Sequence, residues 1–258
     1  MKKPERIGPY TLLEPLGRPA RGHVWLASVG GAGEQVALKL VRPGDPEGRL
    51  RLLHECNTAI IFDHPNIVRI HECGEAKGVT WMAMGYLAGP HAPLTLANFR
   101  QLLLAMVHVH ANGIVHADIG LENLLLDEGG DLRLAGFGSA RRLGQTPPAA
   151  PCARQSNAPE QLRGQPIDCR TDIFAAGLVL YEVLTGKPPL RGTGIEVTRQ
   201  ILHETEPAPS VAAPGLGSGF DEVVRRGLAR ERGERYASAF EFLAAFDAAC
   251  RLGLRVSA

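Results

Sequence analysis

The 258-residue chain lacks an excess charge of either sign: 28 Lys and Arg face 27 Asp and Glu, a formal net charge of +1. That balance excludes attraction to nucleic acid or to an anionic membrane by bulk field. Cysteine is scarce and unpatterned. Cys56, Cys73, Cys152, Cys169 and Cys250 form an odd set with no C-x-x-C pair. A disulfide framework and a cysteine zinc site are thereby excluded, and a reducing compartment is expected. Long apolar runs are absent too. The longest, Ile173 to Val183, is interrupted by Gly177 and Glu182 and reads as a buried helix, too short to span a bilayer. The charged start Met1-Lys2-Lys3-Pro4-Glu5-Arg6 has no apolar segment behind it, so it does not read as a signal peptide. The expectation is a cytoplasmic protein without a membrane span and without a nucleic-acid partner.

What is present is an ordinary globular composition, 45% hydrophobic and 21% charged, on a chain long enough for two lobes. Residues 7–45 alternate as strands. Tyr10-Thr11-Leu12-Leu13 and Val24-Trp25-Leu26-Ala27 flank a turn with Gly17, Pro19 and Gly22, and Val36 to Val41 is a third strand beyond Gly30-Gly31-Ala32-Gly33. Leu50 to Phe62 has helical spacing, and Val68–Cys73 and Val79–Met84 read as further strands. Leu96 to Asn112 is a long helix stopped by Gly113. Short strands are expected near 124–126 and 132–134. The aperiodic stretch 138–158 reads as one long loop, of the kind that is usually functional. Helices are expected at 173–185, 196–204, 219–228 and 237–252. Strands first and helices second predict an α+β protein with a β-rich lobe over 1–87, a helical lobe over 88–258 and a hinge near 85–93.

Taken in order, the motifs make the chain resemble the Ser/Thr protein kinases, most closely the bacterial receptor-type members, over about residues 8–250. The run Gly17 to Val24 resembles the phosphate-covering loop, and Val36-Ala37-Leu38-Lys39 the strand that ends in the phosphate-binding lysine. Glu55 in Leu52-Leu53-His54-Glu55 matches that lysine's helical partner. Met84-Gly85-Tyr86-Leu87 matches the linker that meets adenine. His116-Ala117-Asp118 with Glu122-Asn123 matches the catalytic loop, and Ala158-Pro159-Glu160 closes the activation segment. Asp172 and Gly177 lie where a buried helix begins, and Arg235 falls where an arginine pairs with the Ala-Pro-Glu glutamate. The resemblance implies a bilobal protein kinase-like fold. It implies catalytic roles for Asp118, Lys39, Glu55 and Asn123. A nucleotide would sit among Leu16, Gly17, Gly22, Val24, Ala37, Lys39, Gly85, Leu87 and Leu125, with Met84 as gatekeeper.

Several positions depart from the family's pattern, and the departures fall on chemistry. Gly136-Phe137-Gly138 stands where the metal-binding Asp-Phe-Gly belongs. That leaves Asn123, a neutral amide, as the remaining metal ligand of the pair, whereas Mg²⁺ usually takes at least one carboxylate. Ala117 replaces the arginine before Asp118, Gly120 the lysine two residues after it and Leu121 the following proline. Pro19 takes the middle glycine of the phosphate loop and removes an N–H donor, and Arg18 and Arg21 flank it. Ala153 stands where a threonine hydroxyl would bond the aspartate, and Ser156 where a tyrosine is usual. Thr146, Ser139 and Ser156 are candidate phosphorylation sites for another enzyme. Glu122 and Asp127 are the neighbouring carboxylates that could replace the lost metal ligand. His116 and Phe137 persist, so an apolar spine between the lobes can still assemble.

Three readings follow. The first is a pseudokinase, a regulatory module that binds a protein partner, such as a signalling protein or an active kinase, with weak binding of ATP or ADP and no strict Mg²⁺ requirement. The second is an active Ser/Thr kinase with non-standard metal handling. The third is nucleotidyl transfer on the same fold. Helix residues 49–57 and the loop 138–157 are the expected docking regions. Without the membrane helix and extracellular repeats of its closest kin, the chain is expected to stand alone or to act beside other chains.

Overall fold

The computed structural model describes residues 5–16, 23–30, 33–89, 92–146 and 154–256. The first half builds an antiparallel sheet of β1 (Arg6–Ile7), β2 (Tyr10–Leu16), β3 (His23–Val29), β4 (Gln35–Val41), β5 (Ile70–Ala76) and β6 (Val79–Gly85), in the order β1-β2-β3-β4-β6-β5. The two-residue period of β4 decides which side chains reach the site. Val36, Leu38 and Leu40 bury with Tyr10, Leu12, Ala27, Trp81 and Ala83. Ala37 and Lys39 therefore take the opposite face, where α1 (Pro46–Ala59) packs. That helix starts four residues before the expected Leu50 and ends before Phe62. Asp45 accepts the Gly48 N–H at 2.8 Å and Pro46 opens the first turn, so cap chemistry sets the start rather than apolar spacing.

β5 also departs from the expected 68–73. A bulge between Ile70 and Glu72 moves its pairing with β6 along the chain, and the Val68 N–H instead donates to Leu134 C=O at 2.9 Å. That bond ties the sheet to the helical half. There α2 (Leu96–Ala111) starts at a reciprocal Thr95–Asn98 cap and packs on α8 (Ala239–Val256), with Phe99 edge-on to Phe242 and Phe246. The stretch 138–158 is not a single loop. A 3₁₀ turn covers Phe137–Ser139, and Arg141–Arg142 pair with Ile114–Val115. With these two short strands as β10 and β7, the pair Leu124–Leu126 and Leu132–Leu134 becomes β8 and β9.

Four further helices, α3 (Pro159–Leu162), α5 (Ile195–His203), α6 (Pro209–Ala212) and α7 (Asp221–Gly227), surround the central α4 (Cys169–Thr185). Every residue of α4 from Thr171 to Tyr181 is buried. A Cβ on Gly177 would lie 2.9 Å from Leu228 Cδ2 and 3.2 Å from the Gly227 carbonyl carbon, so glycine is what lets α4 and α7 close up. The architecture is α+β, sheet first and helices second, as the sequence pattern predicts. Among the described residues no helix is long and apolar enough to cross a membrane.

One buried ion pair locks the helical half. Arg235 Nη1 and Nη2 reach Glu160 Oε1 and Oε2 at 2.9 and 3.0 Å, with both side chains out of solvent. The rest of the guanidinium donates to the carbonyls of Ala229, Arg170 and Arg230, and Thr171 Oγ1 donates to Glu160. Burial alone would push the Glu160 carboxyl up, but the bonds and charge of Arg235 with the Thr171 hydroxyl hold it below the ordinary carboxylate range. Glu160→Gln should destabilise the fold by about 3–5 kcal/mol in chemical denaturation, because Arg235 is left buried without a counter-charge. A carboxyl depressed on folding adds stability above its unfolded pKa and loses it as pH falls through the folded value. Wild type should therefore lose stability in acid more steeply than Glu160→Gln does.

Candidate active site

The strand register assembles the sheet side of the site. Leu16 lies opposite Val24, Val24 opposite Lys39, and Ala37 opposite Met84, which sets Leu16, Val24, Ala37 and Lys39 on one face of the sheet. Lys39 Nζ meets Glu55 Oε2 at 2.7 Å, with the Glu55 side chain 8% exposed. Leu52, Cys56 and Ala59 are buried on the same helix face, and this packing aims Glu55 at the sheet. Below the linker, Leu87, Leu94, Leu124 and Leu125 line a cavity of about 300 Å³. The Gly85 N–H is taken by Arg69 C=O at 2.9 Å. Gly17 and Gly22, with Arg18, Pro19 and Arg21, lie outside the described residues, as does Ala153.

The catalytic loop hangs on Asp172 at the start of α4. Its Oδ2 accepts the His116 N–H and faces His110 Nε2, and its Oδ1 accepts the Ala117 N–H, all at 2.8 Å. These bonds hold Ala117 at a φ of +62°, a conformation that costs a side-chain-bearing residue roughly 1–3 kcal/mol. His116 packs edge-on to Phe137 with ring centroids 4.6 Å apart, and Phe137 meets Phe62 at 5.1 Å. The apolar connection between sheet side and helical side is therefore closed.

Asp118 is in place, and both of its oxygens are occupied. Arg154 Nη1 donates to Oδ2 at 2.7 Å, and the Ser156 hydroxyl to Oδ1 at 2.8 Å. Gln161 Nε2 adds a bond to Ala117 C=O at 2.9 Å, so the segment before α3 is fastened to the catalytic loop. This corrects two expectations from the sequence. The hydroxyl partner of the aspartate is not lost with Ala153, because Ser156 supplies one. Ser156 is also buried and engaged, so it is not an accessible phosphorylation site.

Asn123 and Gly136 pack against each other where the resemblance implies a metal. Asn123 Nδ2 donates to Asp118 C=O at 2.8 Å. Gly136 has a φ of +82°, and a Cβ on it would stand 2.3 Å from Asn123 Oδ1. The carboxamide expected to ligate a metal thus fills the room that a side chain at 136 would need. Asp127 is not a substitute ligand either. It takes Arg133 at 2.8 Å and the Gly129 and Asp131 N–H groups at 3.0 Å. Burial opposes these bonds, yet they hold its carboxyl below the usual range. Glu122 turns its carboxylate over Gly120, with Oε2 2.7 Å from where a Cβ on residue 120 would be. Among the described residues no group of three or more His, Cys, Asp or Glu could hold a metal ion. This donor set does not fit the octahedral, carboxylate-bearing shell of Mg²⁺. The Lys39 side, a lysine paired with Glu55 on a sheet face with Leu16, Val24 and Ala37, has the charge and apolar surface that a nucleotide would need.

A curled sheet set on a helical half, with a Lys39–Glu55 pair between the sheet and α1 and a catalytic loop anchored by a buried aspartate, defines a kinase-type domain. The sequence matches the protein kinase domain over residues 10–236, and the chain belongs to that family. It is 35% identical to the serine/threonine-protein kinase PknD of Mycobacterium tuberculosis, over 94% of this chain and 40% of that protein. It is 33% identical to PknJ of Mycobacterium bovis, over 93% and 45%, and 30% identical to the probable serine/threonine-protein kinase PknB of Bifidobacterium longum, over 91% and 39%. The chain thus spans less than half the length of these relatives.

The contact at Gly136 is testable by a double-mutant cycle. Gly136→Ala should destabilise by about 1–3 kcal/mol, since it combines a left-handed φ with the Asn123 clash. Made in the background of Asn123→Ala, it should cost measurably less, and denaturant melts of the four proteins give the coupling. Strictly additive costs would mean that Asn123 does not occupy the space.

Proposed function

We propose that this chain is a nucleotide-binding pseudokinase: a kinase-type domain that takes ATP or ADP weakly, does not depend on Mg²⁺, and regulates a protein partner. The observation that carries this reading is the Asn123 carboxamide packed against Gly136, where among the described residues no group of three or more His, Cys, Asp or Glu could hold a metal ion. Phosphoryl transfer is almost wholly positioning and charge neutralisation. Losing the charged metal ligand removes several kcal/mol of transition-state stabilisation, each ~1.4 kcal/mol being tenfold in rate. Gly120 and Ala117 remove two more cations from the same place. The intact Lys39–Glu55 pair supports nucleotide binding without the metal. Residues 49–57 of α1 and the segment before α3 are where a protein partner is proposed to dock.

The second reading is an active Ser/Thr kinase that passes the ATP γ-phosphate to a protein hydroxyl through a differently held cation. The relatives favour it, since each is named a Ser/Thr protein kinase, and so do Asp118 and the closed Lys39–Glu55 contact. Nucleotidyl transfer, the third possibility, has no observation of its own behind it.

Thermal-shift titration tests the binding claim. Millimolar ATP and ADP should each raise the melting temperature in EDTA, with little added by Mg²⁺, and Lys39→Met should abolish the shift. A shift seen only with Mg²⁺ would overturn the metal-independent part and favour the second reading. No shift under any condition would remove nucleotide binding altogether.

A further inference from the structure

We propose that Arg154 binds the terminal phosphate of a nucleoside triphosphate, in place of the cation absent at Gly120. The inference rests on the nucleotide-binding reading above and names the residue that makes it independent of metal. The catalytic loop has lost positive charge at 120, and the Glu122 carboxylate now covers that spot. A polyphosphate entering the cleft would meet the Asp118 carboxylate with no metal to offset it. Arg154 is the cation that meets this need. Its Nη1 is 2.7 Å from Asp118 Oδ2, so it neutralises the aspartate directly.

A guanidinium has five N–H donors, and the structure gives this one a single side-chain acceptor among the described residues, Asp118. The side chain is 58% exposed, so the rest of its planar fork is free for an anion. Paired donors of that kind suit phosphate oxygens better than a point charge does. The backbone beneath it is fixed: the Arg154 N–H donates to Asn157 Oδ1 at 2.7 Å, and the Asn157 N–H to Arg154 C=O at 3.1 Å. Ser156 holds the other oxygen of Asp118, which keeps that carboxylate turned toward Arg154.

Among the described residues, Arg133 is bound to Asp127 and Arg141 to Ala140 C=O, while Lys39, paired with Glu55, is left to the inner phosphates. Arg154 is the exposed member of the pair and Asp118 the buried one, and Asp118 keeps its bond from the Ser156 hydroxyl when Arg154 is replaced. A denaturant melt of each variant checks that it is folded, so that the loss is read on the ligand.

The experiment is calorimetric titration of ATP and ADP, in EDTA, into wild type, Arg154→Ala, Arg154→Lys and Ser156→Ala. Arg154→Ala should weaken ATP about tenfold or more while leaving ADP within about twofold, the loss expected for one charge-assisted hydrogen bond to phosphate. Arg154→Lys should recover part of that loss. Ser156→Ala should weaken ATP by less than Arg154→Ala does, because it loosens Asp118 but leaves the guanidinium in place. If Arg154→Ala weakens both nucleotides equally, or neither, the assignment is wrong although nucleotide binding stands. If wild type binds neither nucleotide, the nucleotide reading and this assignment fall together.

Discussion

The buried carboxylate of Asp172 is the constraint on which the site depends. It is wholly out of solvent at the start of α4, a helix buried along eleven successive residues. Taking a carboxylate out of water is costly unless its oxygens are filled with donors. Here the donors are the backbone of His116 and Ala117 together with His110. The catalytic loop must therefore adopt one shape, including the left-handed turn at Ala117, for the helical core to close. That requirement holds whether or not Asp118 ever receives a proton.

A division between frame and chemistry follows from this. The frame is continuous: Asp172 positions the loop, Arg235 and Glu160 fix the end of the activation segment, and His116, Phe137 and Phe62 join the two halves. Each of these groups is buried, and removing any of them leaves an unpaired charge or a cavity. The altered positions are 117, 120 and 136, where a functional side chain would face phosphate, metal or a docked phosphoryl group. Ala117 and Gly136 still carry structural constraints, since both hold a positive φ and Asn123 fills the space that a side chain at 136 would take. Folding stability resists change most directly at 160, 172 and 235, where a buried charge would lose its partner.

Much of this was legible in the sequence, and the limits are physical. Lys39 and Glu55 were readable only through the order of motifs that the resemblance supplied, since a lysine closing an apolar strand carries no signal of its own. Arg235 and Glu160 were readable through order along the chain. The partners of Asp118 were not, because Arg154 and Ser156 lie 36 and 38 residues away and reach it through loop geometry that leaves no period. Strands of two residues, such as Arg6–Ile7 and Arg141–Arg142, are too short to show alternation at all. The start of α1 was misplaced because the Asp45–Pro46 cap, and not the apolar stripe, decides it. The packing of Asn123 against Gly136 needs three-dimensional proximity, although the missing aspartate that permits it was plain.

The reading proposed above is of a kinase frame that works without phosphoryl transfer. Its most direct test is incubation of the purified chain with γ-labelled ATP and a general protein acceptor, with Mg²⁺ or Mn²⁺, beside an Asp118→Asn control. The account predicts no label above that control on either the chain or the acceptor. Label that accumulates with time and disappears in Asp118→Asn would contradict it and make the chain an active kinase.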